Sequence, residues 1–326
     1  MKKLLLPVAF CLLSVIAYAY PITPRPLRKL VIESEYIIHG LVIKAGSEKN
    51  TNKKKEYDDS YRYFALVVVK EVWQGKLNTD TLKIYYPANL ICPAPPQYIE
   101  NAEAVIFLDG PTKQYKDFST HALSYGVKNG LDREGIAVYK QRIKEMQSIL
   151  KMDDGLPKDQ HILDWLVSCA GNKYTRWEGT YELSPGSDFM SYYDRTDISR
   201  KESLLSASQH RVLFDAFMKV DSFNYQDIGL IDIAMGINDS LLLIKLKKVL
   251  GNIPAESLWQ AEVLMDRIVT LTGDTQLEKL QEEFKEIYFS TDKEARCKEL
   301  FQLFIQQMKQ AGLKKPIYAA SGDNVG

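Results

Sequence analysis

Two periodicities divide this chain. From Leu30 to about Tyr139 it repeats runs of β-branched and aromatic residues stopped by glycine, proline or aspartate. From Pro157 to Leu313 the apolar residues instead recur three and four positions apart. Side chains alternate between the faces of a strand but return to one face of a helix every three to four residues. The first pattern therefore calls for a sheet, the second for packed helices.

The strand runs can be placed individually. Leu30 to Ile43 is bent by Gly40; Tyr61 to Trp73 ends at Gln74-Gly75; Thr81 to Tyr86 is stopped by Pro87. Ala104 to Leu108 is closed by Asp109-Gly110-Pro111, and either Ala122 to Val127 or Ile136 to Tyr139 supplies a fifth. A glycine bend lets a long first strand serve both sides of a barrel. The expected fold is α+β in two domains: a small five-stranded OB-like Greek-key β barrel, then an all-α bundle or short irregular α-solenoid. Expected boundaries are an extended, proline-rich lead-in at 20–29, the barrel at 30–139, a linker helix at 140–157, helices at 158–313 and a flexible tail at 314–326. Several helix ends carry signals. Pro254 precedes the 255–271 run and Gly273 follows it, and Thr291 to Glu294 reads as a capping box.

Ahead of the barrel, Met1-Lys2-Lys3 leads into an apolar run from Leu4 to Ile16 and then Ala17-Tyr18-Ala19. A positive start, a short apolar stretch and a small-x-small exit form a secretory signal peptide, with cleavage expected after Ala19. A permanent anchor needs about 20 apolar residues, and this run is shorter and contains Pro7. The expected location is the periplasm or the extracellular medium, with no transmembrane segment in the mature chain.

Composition excludes some roles. The formal charge is +0, and losing Lys2 and Lys3 makes the mature form slightly acidic. Nucleic-acid binding wants clustered excess Lys and Arg, so none is expected. The four histidines share no short window, and no His-Glu-x-x-His, Cys-x-x-Cys or calcium loop occurs. Neither a metal nor another cofactor is expected. Of Cys92, Cys169 and Cys297, at most one pair can bridge. His161 and Cys169 would lie about 12 Å apart along one helix, too far to activate a thiolate. His39 alternates with Ile37 and Leu41, which makes it a barrel residue.

The most unusual segment is Asn172 to Leu183, continuing through Phe189, Tyr192 and Tyr193. Flat rings beside charged tips are what sugar or peptide recognition uses, so Tyr174, Arg176, Trp177, Glu178 and Tyr181 are the candidate binding residues. A purely structural alternative stands beside this: the rings pin a long loop onto the helical layer, and Arg176 pairs with Glu178 or Glu182. No residue is assigned to catalysis.

Two resemblances add to this reading. Ser34 to Val42, Phe64 to Gly75, Cys92 and Ala104 to Leu108 resemble the netrin-like, tissue-inhibitor-of-metalloproteinase-like OB-fold domains. That family's inhibitors chelate protease zinc through an N-terminal cysteine. Here the mature chain would start Tyr20-Pro21, so the device does not carry over. Trp165 to Ala170 with Thr175 to Leu183 resembles uncharacterised exported bacterial proteins, which implies a bacterial source and no chemistry. The expected function is an exported binding or interaction protein at the bacterial cell envelope, its partner a protein, peptide or glycan. In that role the Ala45 to Ser60 and Ala88 to Asn101 loops of the barrel would contribute. The alternative is a secreted or periplasmic hydrolase whose carboxylates converge between the domains.

Overall fold

The computed structural model describes residues 23–49, 61–88, 94–111, 117–184, 204–237, 240–254, 257–288, 290 and 293–312. Strand β1 (Tyr36–Lys49) pairs antiparallel with β2 (Tyr61–Gln74) along its length, and its first half also pairs with β4 (Glu103–Asp109). β2 pairs with β3 (Thr81–Tyr86); β3 runs parallel to the short β5 (Phe118–Thr120), which returns to β4. The order β1-β2-β3-β5-β4-β1 closes a five-stranded mixed barrel of OB-like topology. A two-residue β6 (Val127–Lys128) adds to β4.

Gly40 is where β1 changes course. The β1–β2 register shifts between His39 and Gly40. A Cβ on Gly40 would lie 2.4 Å from Val67 Cγ1 and 3.0 Å from the Val68 carbonyl oxygen. The missing side chain is what lets the two strands approach there. Inside the barrel, Ile38, Val42, Val67, Leu82, Ile84 and Ile106 form a core.

Two sequence expectations are corrected. Leu30 to Glu33 does not begin β1: Leu27–Glu33 forms a helix, α1, capped by the extended Pro26. Leu27, Leu30 and Val31 are buried at helical spacing, a pattern that a β-branched run conceals. The fifth strand lies at neither expected place. Phe118–Thr120 supplies it, Leu123–Gly126 is a 3-10 turn entered through Ala122 in the left-handed region, and Ile136 to Tyr139 belongs to helix α2 (Arg133–Ile149). Asp132 caps α2 by accepting from the Gly135 N–H at 2.8 Å, and Tyr139, Ile143 and Met146 make the buried stripe. Four residues are too few to separate a strand from one helical turn.

α2 packs against α1, β2 and β4 on the outside of the barrel. Helix α3 (Leu156–Ala170) follows, and Trp165 Nε1 donates to the Arg142 carbonyl at 2.9 Å. One compact unit runs to Cys169, and a second begins at Ala170. The second holds α4 (Arg176–Leu183), α5 (Ala207–Met218), a 3-10 turn (Tyr225–Asp227), α6 (Ile228–Ala234), α7 (Ser240–Gly251), α8 (Leu258–Thr272), α9 (Thr275–Tyr288) and α10 (Glu294–Gln307).

The caps explain several of these bounds. Ser206 and Gln209 form a reciprocal capping box at α5, and Gly273 ends α8 at φ 57°. Thr291 of the expected capping box lies outside the described residues. α8, α9 and α10 contact one another pairwise, which makes a small bundle. Arg267 on α8 joins Asp232 of α6 at 2.7 Å, and Lys285 on α9 joins Asp266 of α8 at 2.9 Å. Cys169 and Cys297 are buried, unbridged thiols; Cys92 lies outside the described residues. No helix among the described residues is long and apolar enough to cross a membrane.

Candidate functional site

Because Ile38 points into the barrel, His39 points out of it. Its position on β1 is opposite Glu71 on β2. Glu103, at the start of β4, stands opposite Leu41. These side chains form one wall of a cleft of about 680 Å³ on the barrel's outer surface. Helix α2 forms the other wall with Arg133, Ile136, Ala137 and Lys140, spaced i, i+3, i+4, i+7 and so on one helical face. Gly130 and Leu131 close the end.

Charges on the barrel wall are paired. His39 Nε2 lies 2.7 Å from Glu103 Oε2, while Lys70 reaches across β1 to Oε1 of the same carboxylate. Glu71 receives Lys140 from α2 and the Trp73 indole N–H at 3.1 Å. Trp73 also stands beside the imidazole, ring centroids 5.9 Å apart. The hydrogen bond from Lys140, then that from Trp73, holds Glu71 below the usual carboxylate range. Lys70, then His39, does the same for Glu103. Both are ionised at neutral pH.

Two groups stand apart from this pairing. His39 is only 7% exposed, and its Nδ1 is buried without a hydrogen-bond partner. A carboxylate facing Nε2 requires the proton on that nitrogen, so Nδ1 of the neutral ring is an acceptor. Arg133 is exposed, and its guanidinium has no ion pair or hydrogen bond among the described residues. An uncommitted cation at the edge of a partly apolar cleft suits ligand recognition. Among the described residues no group of three or more His, Cys, Asp and Glu could hold a metal ion.

The five residues singled out from sequence lie together in the second unit. The Asn172 side chain accepts from the Tyr174 N–H at 2.9 Å, and α4 then carries Arg176, Trp177, Glu178 and Tyr181. From Arg176 to Leu183 the segment is a helix. Arg176 pairs with Asp227, a partner 51 positions away that the sequence did not suggest. Arg176, Glu178 and Tyr181 are buried; Tyr174 and Trp177 are half-buried. Trp177 packs on Tyr181 one turn later, ring centroids 5.3 Å apart. α4 contacts α6, and that packing encloses the charged face. Phe189, Tyr192 and Tyr193 lie outside the described residues, as do residues 50–60 and 89–93 of the two expected binding loops.

Sequence reasoning placed His39 correctly on a strand but did not reach Glu71, Glu103, Arg133 or Lys140. The one available signal was the Arg133-Ile136-Ala137-Lys140 spacing, masked by reading part of it as a strand.

The chain is thus an α+β protein, a closed OB-like barrel followed by packed helices, with a charged cleft on the barrel's outer face. No family model matches it, and no curated protein does either.

Proposed function

We propose that this chain is an exported protein that binds a ligand, and that it does so in the cleft between β1, β2, β4 and α2. The Lys2-Lys3 start, the Leu4 to Ile16 run and the Ala17-Tyr18-Ala19 exit support export. The observation that carries binding is the state of the cleft's charges. Glu71 and Glu103 are already engaged by cations and held ionised, whereas Arg133 is uncommitted. Carboxylate-pair hydrolysis needs one acid that keeps its proton near neutral pH. Neither glutamate in the cleft has that character, which favours binding over hydrolysis at this site.

Two measurements test the reading. Protein recovered from its own host should begin at Tyr20; Met1 still attached would overturn export. Polysaccharides and peptides incubated with the full chain should remain intact. Hydrolysis abolished by Glu71→Gln or Glu103→Gln would overturn the binding assignment.

A further inference from the structure

The charges along the cleft also restrict what it can hold. The α2 face presents a cation at Arg133, an apolar step at Ile136 and Ala137, and a second cation at Lys140 that Glu71 already occupies. Seven residues of helix place the two cations about 10 Å apart. Glu103 is likewise committed, to Lys70 and His39. The group left to seek a partner is therefore the Arg133 guanidinium, a planar fork that matches a carboxylate with two parallel hydrogen bonds. It sits on the first turn of a 17-residue helix, where the helix dipole also favours negative charge. Beside it, Leu131, Ile136 and Ala137 offer apolar surface.

From this geometry we infer that the cleft takes an apolar carboxylate: the acid group seats on Arg133, and the apolar body lies along Ile136 and Ala137 towards the His39 wall. A cleft of about 680 Å³ accommodates a short peptide end or a small free acid. The inference rests on the cleft being the binding site, and the test separates the two.

Calorimetric titration of the full chain would use five probes: N-acetyl-leucylalanine with a free C-terminal carboxylate, the same dipeptide as its C-terminal amide, hexanoate, hexylamine and hexanol. Methyl resonances of isoleucine, read at Ile136, report where each probe binds. The peptide acid is expected to bind about tenfold or more tightly than the amide, a single charge-assisted contact being sufficient for that ratio. Arg133→Gln, an exposed change that should leave the melting temperature in place, is expected to erase the difference. Hexanoate binding with the same Arg133 dependence, and no peptide binding, would assign a free acid as the source. Equal binding of acid and amide, or acid binding indifferent to Arg133→Gln, would overturn the inference. If hexylamine or hexanol moves Ile136 while neither acid does, the carboxylate assignment falls and the cleft stands. If nothing moves Ile136, both fall.

Discussion

Arg176 and Asp227, 51 positions apart in sequence, form an ion pair inside the helical unit, with Asp227 wholly enclosed. The second carboxylate oxygen accepts the Asn224 N–H at 2.9 Å, so the pair joins α4 to the turn that opens α6. Removing one partner leaves the other as an uncompensated buried charge. Asp227→Ala should cost about 3–5 kcal/mol. Replacing both, as Arg176→Met with Asp227→Leu, should cost much less, because no charge is then stranded. Urea denaturation of the two variants checks this; equal losses would contradict the assignment.

His121 ties part of the fold to pH. His121 contacts Asp109 through Nδ1 at 2.8 Å and Glu33 through Nε2 at 3.3 Å, and Glu33 also holds Arg25 at 2.7 Å. Burial pulls the imidazole's pKa down, but the Asp109 and Glu33 carboxylates outweigh it, and the net shift is upward from 6.5. A group whose pKa is raised by folding stabilises the fold fully below its unfolded value. That contribution is lost as pH climbs through the folded value. The attachment of α1 to the end of β4 should therefore loosen as pH rises above 6.5. Amide exchange in Leu27–Glu33 would report it, and His121→Gln should flatten the dependence.

The cleft carboxylates have the opposite sign. Glu71 and Glu103 have pKa values lowered from 4.5, so their contribution is present above that value and disappears as pH falls through the folded ones. Their side chains are 44% and 35% exposed, so solvent and salt screen the effect. A small loss of melting temperature in acid, diminished by raised salt and by Glu103→Gln, is the expected result.

Gly40→Ala tests the strand approach in the barrel. The new methyl would meet Val67, which is fully buried, at 2.4 Å, and the Val68 carbonyl oxygen at 3.0 Å. A short branched side chain held in a packed core cannot swing away, so the change should cost about 1–3 kcal/mol. Thermal melting measures it; an unchanged midpoint would mean that β1 and β2 separate freely at this point.

Trp177→Ala should lower stability through lost packing on Tyr181. Complete burial of a tryptophan would imply about 3–5 kcal/mol. Trp177 is half-buried, so about 1–3 kcal/mol is expected, read by denaturant titration.

The order of element types is legible in the residues alone, because strand and helix periodicities are local properties. The alternating runs of β2 and β3, the glycine bend of β1 and the apolar stripes of α7 to α9 could all be read directly. Periodicity failed where a run was short enough to satisfy both periods. Leu30 to Glu33 lies in α1, whose buried face packs on α2, and Ile136 to Tyr139 lies in α2, which packs on β2 and β4; such contacts are absent from any local window.

The candidate sites differ for the same reason. Tyr174 to Tyr181 stood out because its aromatic and charged residues are adjacent in sequence, yet α4 turns most of that face inward. The cleft gathers His39, Glu71, Glu103 and Arg133 from four separate elements, each an ordinary residue in its own segment. Barrel closure, which brings β4 beside β1, and the docking of α2 are what place those charges within reach of one another. Hydrogen bonds form only at contact distance and Coulomb attraction weakens with separation, so the arrangement is a product of the tertiary fold.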